Sequence, residues 1–407
     1  MRKLSKKLVI ADMPVEGRNC LAVALFGEEG AEELFVMPEQ RQQILGNIYV
    51  GQVEKVSEHT GAVFVRISSD RHVYLPLNQC AGAIYKTRKK NRKIRPGDEL
   101  LVQVEKEALK SKLPRASAVL RLPGSYLVVT TDGPGLNFSR RLSGQEKTEL
   151  RELFSEEESP FGIIVRTNAR EAGAEDLRRE KARLERELSE ICSRGISRNF
   201  GSCLYRAPSD WIRELLRIPR RELSRVITDD VRVRDSFQDY FGPENAELLE
   251  WYQDRLLPLY KLYSMEALTE RSLHERVWLG SGGFLVIQQT EAFAAIDVNT
   301  GKYDGKQSEA ETVRQVNLEA AREAARQIRL RQLSGVILID FINMKQGEDR
   351  RELLSEMRRL VREDPVKTEV VDLTALDIME ITRRKERRSL KEQISLLKEG
   401  AGPEANA

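Results

Sequence analysis

Two aspartates stand at the ends of apolar runs, where a carboxylate has no routine structural use. Asp340 closes the run VILI and is followed by Phe341 and Ile342, while Asp297 closes AAI with Asn299 two residues later. If that second run continues as a strand, Asp297 and Asn299 point to the same side. Two carboxylates and an amide oxygen form a hard, oxygen-only donor set, suited to Mg²⁺, with Mn²⁺ as the alternative ion. The run around Asp340 is expected to be largely buried, so its carboxylate needs a cation, a hydrogen-bond donor or a raised pKa. A structural alternative is that Asp297 caps a turn and Asp340 meets an Arg from a neighbouring helix. Spacing alone leaves both readings open.

Other residues suit phosphate and bases. Arg166 and Thr167 close the run GIIV with a guanidinium, a hydroxyl and backbone N–H groups, a combination able to grip a phosphate. Residues 86–95, KTRKKNRKIR, carry seven Lys or Arg, Lys89, Lys90 and Arg92 among them, and no acid. They form either a solvated loop or a phosphate contact. Phe64 and Tyr74 fall on neighbouring short strands, where they either stack on bases or pack a core. The four cysteines (Cys20, Cys80, Cys192, Cys203) are scattered, without a CxxC pair or nearby His ligands. Neither zinc nor a disulfide framework is expected.

The elements must bring these residues together. A chain of 407 residues suggests about two to four domains. Hydrophobic residues make up 40% and charged residues 32%, against about 25% charged in an average soluble protein, so cores are ordinary and surfaces ionic. Disorder throughout is excluded. With 67 Lys and Arg against 64 Asp and Glu, the net charge is only +3, so a polyanion site must come from uneven placement of charge. No apolar run reaches bilayer length and none follows the basic start, so no membrane association and a cytoplasmic location are expected.

Residues 8–36 read as antiparallel strands. From Gly46 to about residue 107, five or so short strands with a long insertion fit a Greek-key barrel of the OB type. Asp132-Gly133, between two apolar runs, signals a hairpin. GQEKTELRELFSEEE reads as a surface helix, PFGIIVRTNA as a strand, and AEDLRREKARLERELSEICSR as a solvated amphipathic helix. Residues 206–277 hold two helical stretches, around WIRELLRI and LEWYQDRLLPLYKLYSM. Beyond GSGG the pattern becomes strands FLVIQQ and EAFAAIDVN, a long helix opened by the capping box Ser308 and Glu311, the strand GVILIDFINM, a helix and a short strand. A strand–helix–strand crossover brings the carboxyl ends of both aspartate-bearing strands to one sheet edge. The last dozen residues read as frayed.

The segments GNIYVGQVEKV, PGSYLVV, FSRRL, IIVRT, IDVNTGK, NLEAAREAARQIRLRQLSGVILIDFINM and IMEITRRKERRSL, in this order, resemble the bacterial ribonuclease E/G family. The resemblance covers nearly the whole chain, is closest from Gly282 to Leu390, and leans toward the ribonuclease G branch. It implies a multidomain α/β protein with a split ribonuclease-H-like fold at 1–45 and 206–277. An S1 (OB-type) β-barrel at 46–120 and a 5′-sensor region at 121–205 are inserted in it. A DNase-I-like α/β catalytic domain at 278–395 and a disordered tail at 396–407 follow.

The activity implied is Mg²⁺-dependent endonucleolytic cleavage of single-stranded RNA, leaving 5′-phosphate and 3′-hydroxyl ends, on rRNA precursors or mRNA. Asp297 and Asp340 resemble the family's Mg²⁺-binding aspartates, and Asn299 the amide that positions the scissile phosphate. Arg166 and Thr167 fall on the pair that holds a 5′-monophosphate. Phe64, Tyr74 and Lys112 fall on RNA-contacting positions of the S1 domain. The sequence departs from the pattern at Asn343, where the family carries a second acid, and at Leu113, Pro114 and Arg115, which replace a small-residue run. The CPxCxG zinc-link is missing from these residues, so a homodimer is not expected to form through one. The rival expectation is a non-catalytic S1-domain RNA-binding protein that keeps the family fold.

Overall fold

A computed structural model describes residues 5–38, 44–87, 93–106, 113–154, 159–301, 308–345 and 347–399. Strands β1 (Lys6–Val15), β2 (Arg18–Gly27) and β3 (Gly30–Pro38) open the chain. Strands β4 (Ile48–Ser57), β5 (Ala62–Arg66), β6 (His72–Pro76), β7 (Glu99–Lys106) and β8 (Arg115–Ser117) follow. Next come β9 (Arg121–Pro123), β10 (Leu127–Thr130), β11 (Gly135–Phe138), α1 (Gly144–Phe154), β12 (Gly162–Val165), α2 (Ala174–Ser197), β13 (Cys203–Tyr205) and α3 (Asp210–Leu215). The chain continues through β14 (Leu223–Thr228), α4 (Val231–Phe241), β15 (Leu249–Trp251), α5 (Leu259–Leu262) and α6 (Met265–Leu273). It ends with β16 (Arg276–Trp278), β17 (Phe284–Gln289), β18 (Phe293–Asn299), α7 (Glu309–Leu330), β19 (Gly335–Asp340), α8 (Gly347–Arg362), β20 (Thr368–Leu373), β21 (Ile378–Arg383) and α9 (Leu390–Glu399). Two compact units result: Met1–Arg41 with Glu222–Ala407, and Gln42–Arg221. The stretch WIRELLRI therefore goes with the inserted unit, whereas the sequence reading ended the insertion at 205.

In the inserted unit, β4, β5, β6, β8 and β7 pair in that order and β7 returns to β4, closing a five-stranded barrel. Val63 and Val65 on β5 and Val73 and Leu75 on β6 are buried with half-buried residues between them, as the two-residue period of a strand requires of an inward face. A second sheet has the order β11-β12-β10-β9. Asp132-Gly133 does form a turn, with Gly133 at φ +86°, but the strands it joins are not partners. Instead β12 lies between them, antiparallel to β10 and parallel to β11. A hairpin signal reports local turn geometry and is blind to a third strand arriving from later in the chain. Helix α2 buries Leu177, Leu184, Leu188 and Ile191, the apolar stripe of an otherwise solvated helix.

The other unit contains two sheets. One has the order β15-β14-β1-β2-β3, with β14 parallel to β1 and β15 parallel to β14, while β2 and β3 run antiparallel. The aromatic-rich stretch read as one helix splits into β15, α5 and α6. Pro258 precedes α5, and Ser264 at φ +50° breaks the chain before α6. Helix α9 buries Leu390, Ile394 and Leu397 in the core beneath β1–β3, so residues 396–399 are helical, not frayed. The rest of that expected tail lies outside the described residues.

The second sheet has the order β16-β17-β18-β19-β21-β20. Its first hairpin begins at Arg276, so the domain start expected at residue 278 cuts through strand β16. Strands β18 and β19 are parallel and joined by α7. Ala320, Ala321, Ala324 and Ala325 are buried along α7, and small side chains let the helix lie close to the sheet. With Leu353, Met357 and Leu360 of α8 they cover the face that presents Leu285, Ile296, Ile337 and Ile339. Among the described residues no helix is long and apolar enough to cross a membrane.

Candidate active site

The parallel pairing sets Asp297 directly opposite Asp340. Alternation does the rest: Ile296, Val298, Ile337 and Ile339 point into the core, so Asp297 and Asp340 point away from the helices and are exposed. Asn299, two residues on, shares that face, and its side-chain N–H donates to Asp297 Oδ2 at 2.8 Å. The expectation that Asp340 is buried is therefore corrected. Val336 is 45% exposed while Ile337 is fully buried; the run VILID alternates between faces although its letters are all apolar until the last. Neither structural alternative is found either. Among the described residues no Arg pairs with Asp340, and Asp297 takes the Asn299 amide in place of a turn N–H.

The loops that carry these residues are fixed from behind. Asn317 of α7, fully buried, donates to the Ile342 carbonyl at 2.8 Å and accepts from the Ile342 N–H at 3.1 Å. Asp377 accepts from the Met344 N–H at 3.1 Å and pairs with Arg350 at 2.9 Å. The chain leaving Asp340 is thus held on both sides, while Asn343 itself is exposed. Near Asn299, Glu319 of α7 accepts from the Gly280 N–H at 2.6 Å and from the Ser281 N–H at 3.3 Å. Gly301, at φ +62°, packs on the Gly282 carbonyl, and a Cβ at Gly283 would sit 2.7 Å from the Asn299 carbonyl oxygen. The glycines of GSGG and VNTG are there because two turns close on one another. Asn317, Glu319 and Asp377 were not singled out from the sequence; an Asn on the apolar face of an alanine-rich helix is a signal for Asn317 alone, and Glu319 and Asp377 carry none.

As a donor set, Asp297, Asp340 and Asn299 fit a hard cation that keeps most of its water. They are solvent-facing and supply oxygen only. Among the described residues no group of three or more His, Cys, Asp or Glu is placed to hold a metal, so water and substrate oxygens would complete the shell.

The other candidates lie in the inserted unit. Phe64 and Tyr74 are cross-strand partners on β5 and β6. Both are half-buried on the outside of the barrel, between the inward Val63, Val65, Val73 and Leu75. Arg66 on the same face lies over the Phe200 ring at 4.6 Å. Arg166 donates to the Gly124 carbonyl, and the Thr167 hydroxyl lies 2.9 Å from that of Ser139. The neighbouring N–H groups of Ser125, Tyr126 and Leu127 all donate to the Glu180 carboxylate, at 2.6, 2.7 and 2.9 Å. Glu180, from α2, fixes the loop on which Arg166 rests and was not anticipated. Lys89, Lys90, Arg92 and Lys112 lie outside the described residues. At the borders of the basic stretch, Lys86 pairs with Glu99 at 2.8 Å and Lys93 with Glu58 at 3.5 Å.

Comparison with known proteins adds the following. The family model described as "Ribonuclease E/G family" matches residues 121–386. Ribonuclease G of Escherichia coli K12 is 32% identical over 375 residues, which is 88% of this chain and 76% of that protein. Ribonuclease G of Haemophilus influenzae is 30% identical over 393 residues, 92% of this chain and 79% of that protein. Ribonuclease E of Nostoc sp. is 32% identical over 387 residues, 91% of this chain and 55% of that longer protein.

Proposed function

The chain belongs to the ribonuclease E/G family and is an endoribonuclease, and from that premise we propose that it hydrolyses single-stranded RNA internally with a divalent magnesium ion held by Asp297 and Asp340. The observation that carries this reading is the register pairing of those two carboxylates on an open sheet face, with the Asn299 amide on Asp297. Asp297 and Asp340 bind the ion from adjacent strands, and Asn299 fixes the rotamer of Asp297. The ion, when bound, supplies positive charge against the phosphoryl oxygens and acidifies water. Asn317 and Asp377 hold the backbone beyond Asp340, so the carboxylate need not be reorganised when substrate arrives. Water attacks the phosphorus and the P–O3′ bond breaks, so the phosphate stays on the 5′ end of the downstream fragment and the leaving 3′-oxygen takes up a proton to become a hydroxyl.

The remaining architecture agrees with this reading. The barrel with Phe64 and Tyr74 outward suits an S1-type platform for unpaired bases. Arg166 and Thr167 form the site for a 5′-monophosphate, and the sheet order β15-β14-β1-β2-β3 supports a ribonuclease-H-like core split by the insertion. The six-stranded sheet with α7 and α8 is the DNase-I-like catalytic part. Substrates are rRNA precursors or mRNA. The test is product analysis. Incubation of a single-stranded RNA with Mg²⁺ should give internal fragments whose 5′ ends are ligatable phosphates, and EDTA should stop their formation. Tight RNA binding with no fragments would favour a non-catalytic RNA-binding protein instead.

A further inference from the structure

The open face beside the two aspartates continues across β17 to the edge strand β16, and what it presents there is aromatic and cationic. Pairing aligns Trp278 with Phe284 and Phe284 with Asn299; in the adjacent row, Arg276 aligns with Val286 and Val286 with Asp297. Directly paired residues share a face, so Trp278, Phe284 and Arg276 look out on the same side as the carboxylates. At about 4.8 Å per strand, Trp278 stands roughly 10 Å from Asn299 across the sheet. Trp278 is 64% exposed, an unusual position for the largest side chain on a short edge strand. Its indole meets the Phe284 ring edge-on, centroids 5.3 Å apart. The Arg276 guanidinium lies over both rings, 4.5 Å from the Phe284 centroid and 5.6 Å from that of Trp278. Among the described residues no carboxylate pairs with Arg276.

We propose that Trp278, backed by Phe284 and Arg276, is a stacking platform for an unpaired nucleobase one or two nucleotides from the scissile phosphate, with Arg276 contacting the intervening backbone phosphate. An exposed, pre-set aromatic face and a guanidinium at this distance match the two surfaces of a nucleotide, a π-face and a phosphate. The inference rests on the nuclease reading of Asp297 and Asp340 and adds to it a base-holding subsite on the same sheet. Stacking is sequence-tolerant, because every base has a π-face.

The experiment measures kcat/KM on a single-stranded RNA with one cut site, and on a series in which one abasic nucleotide is moved through the positions flanking that site. Trp278→Ala should lower kcat/KM on the intact RNA by about tenfold, the scale of one base–aromatic stack. It should have no further effect on the RNA whose abasic position faces residue 278, and Trp278→Phe should keep most of the activity. An equal loss on every substrate, or no loss on any, would overturn the proposal. So would a shift in oligomeric state on size-exclusion chromatography with light scattering, which would make the indole part of a contact between copies of the chain. A second arm separates this inference from the reading beneath it. Of the three Trp, Trp211 is 2% exposed and Trp251 is half-buried. RNA binding to an Asp340→Asn protein should therefore quench mainly the emission of Trp278, and the quench should vanish with Trp278→Phe. If the native chain failed to cut any of these RNAs, the nuclease reading would fall, and the quench would decide the platform alone.

Discussion

At the scale of single residues, exposure decides what each substitution should do. Asp297 and Asp340 are exposed at strand ends, so their removal leaves no hole and no orphaned partner in the core. Asp340→Asn should keep the unfolding free energy within about 0.5 kcal/mol of the native chain, as surface changes do, and lower kcat by about 10³-fold, as expected for a lost charge at a metal site. Circular dichroism melts and single-turnover cleavage check the two halves separately. The pair was legible in the sequence because a carboxylate ending an apolar run is conspicuous. The reason first attached to it, burial, was not correct, since VILID hides a two-residue alternation that only the partner strands reveal. Asp12 makes a different case. It faces Asp229 and Asp230 of the same unit together with Arg232, and partial burial followed by repulsion from Asp230 pushes its pKa up to about 6, against the pull of Arg232. An acid with a raised folded pKa takes up a proton on folding, so it costs stability above that pH and the cost disappears as pH falls toward its ordinary value near ~4. Asp12→Asn should therefore raise the melting temperature at pH 8, and the gain should shrink steadily between pH 6 and pH 4.

Elements show what periodicity can carry and where it stops. Helices α2, α7 and α8 were legible because their apolar residues recur at helical spacing, and Ser308 does cap α7, accepting from the Glu311 N–H at 3.3 Å. The order of strands was less so: β12 enters between the strands of the supposed Asp132-Gly133 hairpin, and Pro258 with Ser264 divides what reads as one helix. Clamps made by polar side chains from distant elements were invisible, because each partner alone looks like an ordinary surface residue. Arg383 and Asp364 illustrate this. Both side chains are 2–3% exposed and pair at 2.7 Å, and Arg383 also donates to the Leu333 carbonyl at 3.0 Å. Arg383→Met would leave Asp364 buried without its cation and should cost about 3–5 kcal/mol by urea melts. Asn317→Leu removes both hydrogen bonds to residue 342 from a buried position, so a loss of about 1–3 kcal/mol is expected. Its kcat should fall more than its KM rises, because Asn317 positions the strand end and does not touch substrate.

For the whole molecule, composition fixed little beyond class. The net charge of +3 conceals local excess, and the ends of the basic stretch 86–95 turn out to be balanced by Glu99 and Glu58. If its central residues contact phosphate, replacing Lys89, Lys90 and Arg92 together by Ala should flatten the slope of log affinity for single-stranded RNA against log salt by about 2, at roughly 0.7 per contact. Fluorescence anisotropy titrations at several salt concentrations would read this. The long-range return of the chain was not legible: β1 and β14 are neighbours in one sheet although more than two hundred residues separate them, and no local pattern encodes that return. The central claim concerns Asp297 and Asp340, and the most direct measurement is cleavage of a short A/U-rich single-stranded RNA with a 5′-monophosphate by the native chain and by Asp297→Asn. The account predicts internal cuts by the native chain that require Mg²⁺, stop in EDTA and are lost in the variant while RNA binding persists. Cutting by Asp297→Asn at the native rate would contradict it.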